Sequence, residues 1–197
     1  MNCFVGMLIT LFKVRTINLT ELASGFAGQA MYLSMDRTNW LWGKSNINIL
    51  ILSIVYKGIA IPLFWNLLPK RGNSDTAERI EIISRFIEQF GKSKIAALLA
   101  DREFVGNDWF DWLLKEGVFF CIRIKNNVIT TNAHGLEVSI DTLFYDLKPG
   151  EQRILLNKRK LWKQKVYLSA LRLPDGKLLI VAMQKFMENP IELYSKR

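Results

Sequence analysis

Two aspartates close apolar runs in this chain, and each is followed by an arginine. Met31-Tyr32-Leu33-Ser34-Met35 leads into Asp36 and Arg37, and Ile95-Ala96-Ala97-Leu98-Leu99-Ala100 leads into Asp101 and Arg102. A carboxylate at the end of a strand sits at the rim of a sheet, where it serves either as a turn residue or as a metal ligand. Other side chains offer little competition for chemistry. His134 is the one histidine and Cys3 and Cys121 the two cysteines, too few for a Cys/His zinc site or a disulfide framework. His134 itself falls in Asn132-Ala133-His134-Gly135, a turn sequence. Catalysis here would therefore rest on carboxylates, and hard carboxylate oxygens favour Mg²⁺ or Mn²⁺.

The elements that must position these residues follow from the spacing of apolar side chains. Period-two alternation over 31–36 puts Tyr32, Ser34 and Asp36 on one face of a strand. A turn at Gly43-Lys44-Ser45-Asn46 leads to a second strand over 47–56, and Lys57-Gly58 leads to a third over 59–68, so the chain opens as a meander. Pro62 cannot donate a ladder hydrogen bond, which places the third strand at an edge or at a bulge. A helix is expected over 76–90, with Asp75 and Glu78 as a capping pair, Ile80, Ile83, Ile87 and Phe90 as its buried stripe, and Gly91 closing it. The continuous apolar run before Asp101 reads as a strand covered on both faces. A helix over 107–116 and a strand over 118–125 follow. The order is then β-β-β-α-β-α-β, which matches the ribonuclease-H-like fold: an α/β architecture with a mixed sheet and helices. In that fold the first and fourth strands are neighbours, so Asp36 and Asp101 are expected side by side.

From 126 to 188 the pattern changes to short strands with turn signals at Asn126-Asn127, Lys148-Pro149-Gly150 and Pro174-Asp175-Gly176, the mark of an all-β insertion. Asn189-Pro190 then opens a new helix. Four segments result: an N-terminal segment over 1–30, the first part of the core over 31–125, the β-rich insertion over 126–188, and the start of a final core helix over 189–197.

Lys and Arg outnumber Asp and Glu by 27 to 18, a formal charge of +9, and such a surplus points to a polyanionic partner. The densest basic cluster, Lys158, Arg159, Lys160, Lys163 and Lys165 around Trp162, lies in the insertion. It reads as a solvated hairpin or as a phosphate-contacting one. Residues 1–12 are apolar but lack the flanking features of a signal peptide and are too short to span a bilayer, and 47–56 is of strand length. No membrane segment is expected, and the cysteine usage suits a reducing, cytoplasmic setting.

Met35-Asp36-Arg37-Thr38-Asn39-Trp40, Ala100-Asp101-Arg102-Glu103-Phe104 and Tyr194-Ser195-Lys196-Arg197 together resemble the three signature regions of DDE-class transposases of the insertion-sequence-four group. In that group the third region runs Tyr, two residues, Arg, three residues, Glu, six residues, Lys, and the Glu completes the catalytic triad. Tyr194 and Arg197 match its first two positions, and the sequence ends there. The resemblance implies DNA cleavage and strand transfer by two-metal phosphoryl transfer, with Asp36 and Asp101 as catalytic metal ligands for Mg²⁺ or Mn²⁺. It also implies contacts with double-stranded DNA at transposon ends from Lys158, Arg159, Lys160, Lys163, Tyr194 and Arg197, either DNA contact or a supporting role behind the metal ligands for Arg37 and Arg102, and a second copy or an intact transposase as protein partner, associated with the bacterial nucleoid. Because the third carboxylate is not reached, the chain is expected to be a truncated transposase of lost or impaired activity. The alternative is a non-catalytic remnant that binds DNA or another transposase. For Trp162, packing is the plainer reading than base stacking.

Overall fold

A computed structural model of the chain describes residues 30–42, 45–56 and 58–197. The N-terminal segment expected over 1–30 lies outside them apart from Ala30, as do Gly43, Lys44 and Lys57 of the two expected turns. Strands β1 (Met31–Trp42), β2 (Ser45–Tyr56) and β3 (Ile59–Leu68) form the antiparallel meander. Alternation divides β1 as its sequence demands: Leu33 and Met35 are fully buried in the main core, while Tyr32 packs on the opposite face. β3 is an edge strand, and Pro62 stands opposite Ser53 where the register shifts. The missing N–H is thus absorbed by an edge and an irregularity together.

Helix α1 (Thr76–Phe90) starts at a reciprocal capping box, in which the Glu78 N–H donates to the Asp75 carboxylate at 3.0 Å and the Asp75 N–H donates to the Glu78 carboxylate at 2.8 Å. It ends where Gly91, at φ 86°, turns the chain out and its N–H donates to the Ile87 carbonyl. Its buried side differs from the expected stripe. Arg79, Ile82, Ile83 and Phe86 form the buried line, with Ile80, Ile87 and Phe90 on its flanks. Ile82 and Phe86, outside the expected stripe, are fully buried, and Arg79 joins them because oxygen partners accept it into the interior, which an apolar count does not register.

Strand β4 (Ile95–Ala100) runs parallel to β1, and β5 (Phe120–Ile124) runs parallel to β4 after helix α2 (Asn107–Lys115). Ala97 to Ala100 are all fully buried, as a strand covered on both faces requires. The segment 126–188 holds a small two-stranded sheet of β6 (Ile129–Thr131) and β7 (Glu137–Ser139), then β8 (Gln152–Ile154), β9 (Arg159–Leu161), β10 (Gln164–Arg172) and β11 (Leu178–Met183). β11 pairs with β5, so the main sheet continues through this segment in the order β3-β2-β1-β4-β5-β11-β10-β8, with β9 pairing on β10.

Two apolar layers sandwich the sheet. On one face Leu33, Met35, Leu50, Leu98, Phe120 and Ile180 pack with Phe86 of α1 and Trp109 and Phe110 of α2. On the other, helix α3 (Pro190–Ser195) lays Ile191, Leu193 and Tyr194 over Ala97, Leu99, Cys121 and Val181. The proline at the first position of α3 suits a helix start because its missing N–H would have had no intrahelical partner. No helix among the described residues is long and apolar enough to cross a membrane.

Candidate active site

The parallel ladder between β1 and β4 ends at the pair Met35 and Ala100. The next residue after each is an aspartate, so Asp36 and Asp101 emerge side by side where the β1–β4 pairing ends; Asp101 follows the last residue of β4, whereas Asp36 does not close its strand as expected, because β1 runs on to Trp42 through its pairing with β2. Their local geometries match. The Arg37 N–H donates to Asp36 Oδ1 at 2.8 Å, and the Arg102 N–H donates to Asp101 Oδ1 at 2.7 Å. Each Oδ2 is left to meet the same cation: Arg197 Nη2 lies 3.2 Å from Asp36 Oδ2, and Arg197 Nη1 lies 3.2 Å from Asp101 Oδ2. One guanidinium therefore spans both carboxylates.

α3 positions that guanidinium. Tyr194 is buried against Leu99 and Cys121, and its hydroxyl accepts a hydrogen bond from Arg197 Nη1 at 3.0 Å. Residues three apart on a helix share a face, which brings Tyr194 and Arg197 to the aspartate pair together. Arg197 Nε is buried and finds no acceptor. Burial alone pushes the Asp101 carboxyl up, but the Arg102 N–H and the Arg197 and Arg123 guanidinium groups outweigh it and hold the carboxyl below its ordinary value. Burial and the Asp101 charge push the Tyr194 phenol up against the pull of Arg197, so Tyr194 stays neutral and can give or accept a hydrogen bond. Cys121, beneath the site, is pushed up to about 12 by burial and is no nucleophile.

Arg123, which the sequence reading did not single out, points the same way, with Nη1 3.7 Å from Asp101 Oδ1. Its signal was available: it is the lone cation in the otherwise apolar strand Phe120–Ile124. Arg37, expected either to contact DNA or to support the metal ligands from behind, is turned to the opposite face of the sheet from Asp36. There its guanidinium is largely enclosed and paired with Glu103, with Nη2 3.0 Å from Oε2. Arg102 is exposed beside the site.

The basic cluster of the β9–β10 hairpin lies elsewhere. β5 and β11 intervene between β4 and β10, so roughly 14 Å separates the two strands at the usual spacing. Lys158, Lys160 and Lys163 are exposed; Arg159 is partly buried and donates to the Asn157 carbonyl at 3.2 Å. Trp162, at the hairpin tip with φ 54°, packs edge-on against Phe110 of α2 at 5.4 Å between ring centroids. That is the packing reading of Trp162, and the aromatic contact offsets an unfavourable backbone conformation.

The donor chemistry of the aspartate pair fits a hard divalent cation. Two adjacent carboxylates present one oxygen each to a common point, and the Arg197 guanidinium marks that point as one a cation occupies. Among the described residues no third acidic, histidine or cysteine side chain joins them, so the pair would supply two protein ligands.

The sheet order, the parallel β1–β4 pair and the flanking helices define a ribonuclease-H-like α/β fold. Residues 44–197 match the family model described as the transposase DDE domain, which is most of the chain, and the chain belongs to that family. The matched stretch begins after Asp36, so the place of Asp36 in the site rests on the strand pairing. Among solved structures, the chain is similar to the piggyBac transposase in its synaptic complex with hairpin DNA. The TM-score is 0.51 at 10% identity over 85% of this chain and 38% of that one. The chain thus spans well under half the length of that transposase. More distant are the magnesium-bound catalytic core of the HTLV-2 integrase, with TM-score 0.37 and 12% identity over 48% of this chain and 61% of that one, and the catalytic domain of human endonuclease V, with TM-score 0.41 and 12% identity over 87% and 74%. No curated protein matches the chain by sequence.

Proposed function

We propose that the chain is the greater part of the catalytic core of a DNA transposase of the insertion-sequence-four group, built for phosphoryl transfer at transposon ends. The observation that carries this reading is the convergence of Asp36 Oδ2 and Asp101 Oδ2 on one cation at the end of the β1–β4 pair. Asp36 and Asp101 would hold Mg²⁺ or Mn²⁺, which when bound activates the attacking oxygen and stabilises the leaving one. The chain's own residues do the rest. Tyr194 steadies Arg197, and Arg197, released from the carboxylates, is free to hold a phosphate of the DNA through its planar fork. Arg102 and Arg123 flank the same rim and add positive potential for the phosphodiester backbone. The hairpin lysines Lys158, Lys160 and Lys163, with Arg159, extend the contact along the duplex. A second protomer or an intact transposase, and a cytoplasmic location with the nucleoid, accompany this reading.

The finer assignment to the insertion-sequence-four group is supported by the convergence of Tyr194 and Arg197 on the aspartates, which the spacing of that group's third region requires. Its catalytic Glu would stand four residues past Arg197, again on the same helical face. Residues 1–197 by themselves, with two of the three carboxylates, are expected to nick transposon-end DNA very slowly. The test compares it with a version extended by a helix carrying Glu four positions and Lys eleven positions past Arg197. Mg²⁺-dependent nicking or joining should appear in the extended chain and vanish with Asp36→Asn or Asp101→Asn. Nicking by the extended chain that survives both substitutions would sink the assignment of the site. Salt-sensitive DNA binding with no nicking in either chain would favour the non-catalytic reading instead.

A further inference from the structure

Asp36 and Asp101 stand just beyond the last paired residues of the β1–β4 ladder, Met35 and Ala100, so the backbone hydrogen bonds that fix the two strands stop before the residues whose spacing matters. Two side-chain links span the gap. On the α3 face it is Arg197, which uses the very oxygens a metal would need. On the opposite face it is Arg37, one residue past Asp36, joined to Glu103, two residues past Asp101.

The second link is a two-point one. Arg37 Nε lies 3.3 Å from Glu103 Oε1 and Nη2 lies 3.0 Å from Oε2, the paired arrangement that fixes orientation as well as distance. Two of its three remaining N–H groups are also placed: Nη1 donates to Asn48 Oδ1 at 3.1 Å and Nη2 to Asn73 Oδ1 at 3.3 Å. Asn48 is fully buried and donates in turn to the carbonyls of Lys70 and Gly72. The loop that carries Glu103 is held independently, because the buried Arg79 donates to the carbonyls of Glu103 and Val105. Neither end of the Arg37–Glu103 pair is therefore free to wander.

We infer that Arg37 and Glu103 are positioning residues, a brace on the helix-layer side of the sheet that sets the separation of the Asp36 and Asp101 carboxylates for a divalent cation. When a cation displaces Arg197, the brace is the link that remains among the described residues. The inference rests on the metal-site reading above.

The experiment titrates Mn²⁺ into the full chain and follows the free ion by electron paramagnetic resonance, with thermal unfolding of each metal-free variant in parallel. Glu103→Gln removes the charge, and Arg37→Lys keeps the charge but loses the fork. Each should weaken Mn²⁺ binding about tenfold or more, the usual scale for residues that orient metal ligands, in protein that is still folded by circular dichroism. The charge-reversed double variant R37E/E103R should regain most of the affinity. A merely structural pair would lower the unfolding midpoint and leave the affinity of the folded protein alone. Wild-type affinity in Glu103→Gln and Arg37→Lys, with Asp101→Asn clearly weakened, overturns the brace while sparing the metal site. Equal affinity in wild type and Asp101→Asn overturns the metal site and the brace with it.

Discussion

Arg197→Met removes the guanidinium that spans the aspartate pair while keeping a flexible side chain of similar reach, and the direction of its effect on metal binding separates a placeholder from a ligand-orienting role. Arg197 holds both Oδ2 atoms at 3.2 Å. The Asp36 side chain is 58% exposed, so solvent reduces that contact to about 0.5 kcal/mol. Asp101 is more enclosed, and a charge-assisted hydrogen bond there contributes about 1.5 kcal/mol. Against these stands the buried Arg197 Nε without an acceptor, which costs about 1 kcal/mol whenever the guanidinium is seated. The difference, about 1 kcal/mol, is what a cation must overcome to take the site, and it corresponds to roughly a fivefold factor in affinity. Repulsion between the two carboxylates once Arg197 is gone acts in the same direction. Arg197→Met should therefore bind Mn²⁺ about fivefold more tightly than the wild type in a titration without DNA, and its metal-free form should be slightly less stable. Unchanged or weaker Mn²⁺ binding would refute the idea that Arg197 and the metal compete for the same oxygens.

Other expectations follow from the same geometry. The Asp101 carboxyl is held below its ordinary value of 3.8 in the folded protein, so its contribution to stability is full above that value and is lost as pH falls through the lower folded value; urea unfolding from pH 6 to pH 2.5 should show a steeper acid loss in wild type than in Asp101→Asn. Phe86→Ala deletes a fully buried ring that lies tilted against Phe90 at 5.0 Å between centroids and should cost about 3–5 kcal/mol in urea unfolding, with a cost under 1 kcal/mol contradicting its place in the core. Replacing Lys158, Lys160 and Lys163 together by alanine should weaken binding to duplex DNA and reduce the slope of log affinity against log salt by about 3; an unchanged slope would remove the β9–β10 hairpin from the DNA interface.

The local elements were legible because their causes are local. The Asp75 and Glu78 pair marks the start of α1 through bonds three residues apart, Pro62 forbids a central strand whatever lies beside it, and the unbroken apolar run before Asp101 requires cover on both faces. The burial of Arg79 in α1 was not legible, because it is stabilised inside by the Ser74 hydroxyl and by the Glu103 and Val105 carbonyls, acceptors outside the helix; the burial of Ile82 and Phe86 beside it was open to an apolar count and was missed. The continuity of the sheet from β5 into β11 was likewise hidden, since strand pairing depends on which edges meet and alternation within one strand does not report its neighbour.

The aspartates belong to both accounts. Their residue type, their places at the ends of apolar runs and the spacing of Tyr194 to Arg197 were determined by the sequence alone, because strand and helix periods decide which side chains share a face. Only the tertiary structure decided that both Oδ2 atoms meet one guanidinium, that Arg123 joins them, and that Arg37 turns away to pair with Glu103. Those facts depend on contacts between residues far apart in the chain, and such contacts are set by how the strands dock, not by the order of residues along any one of them.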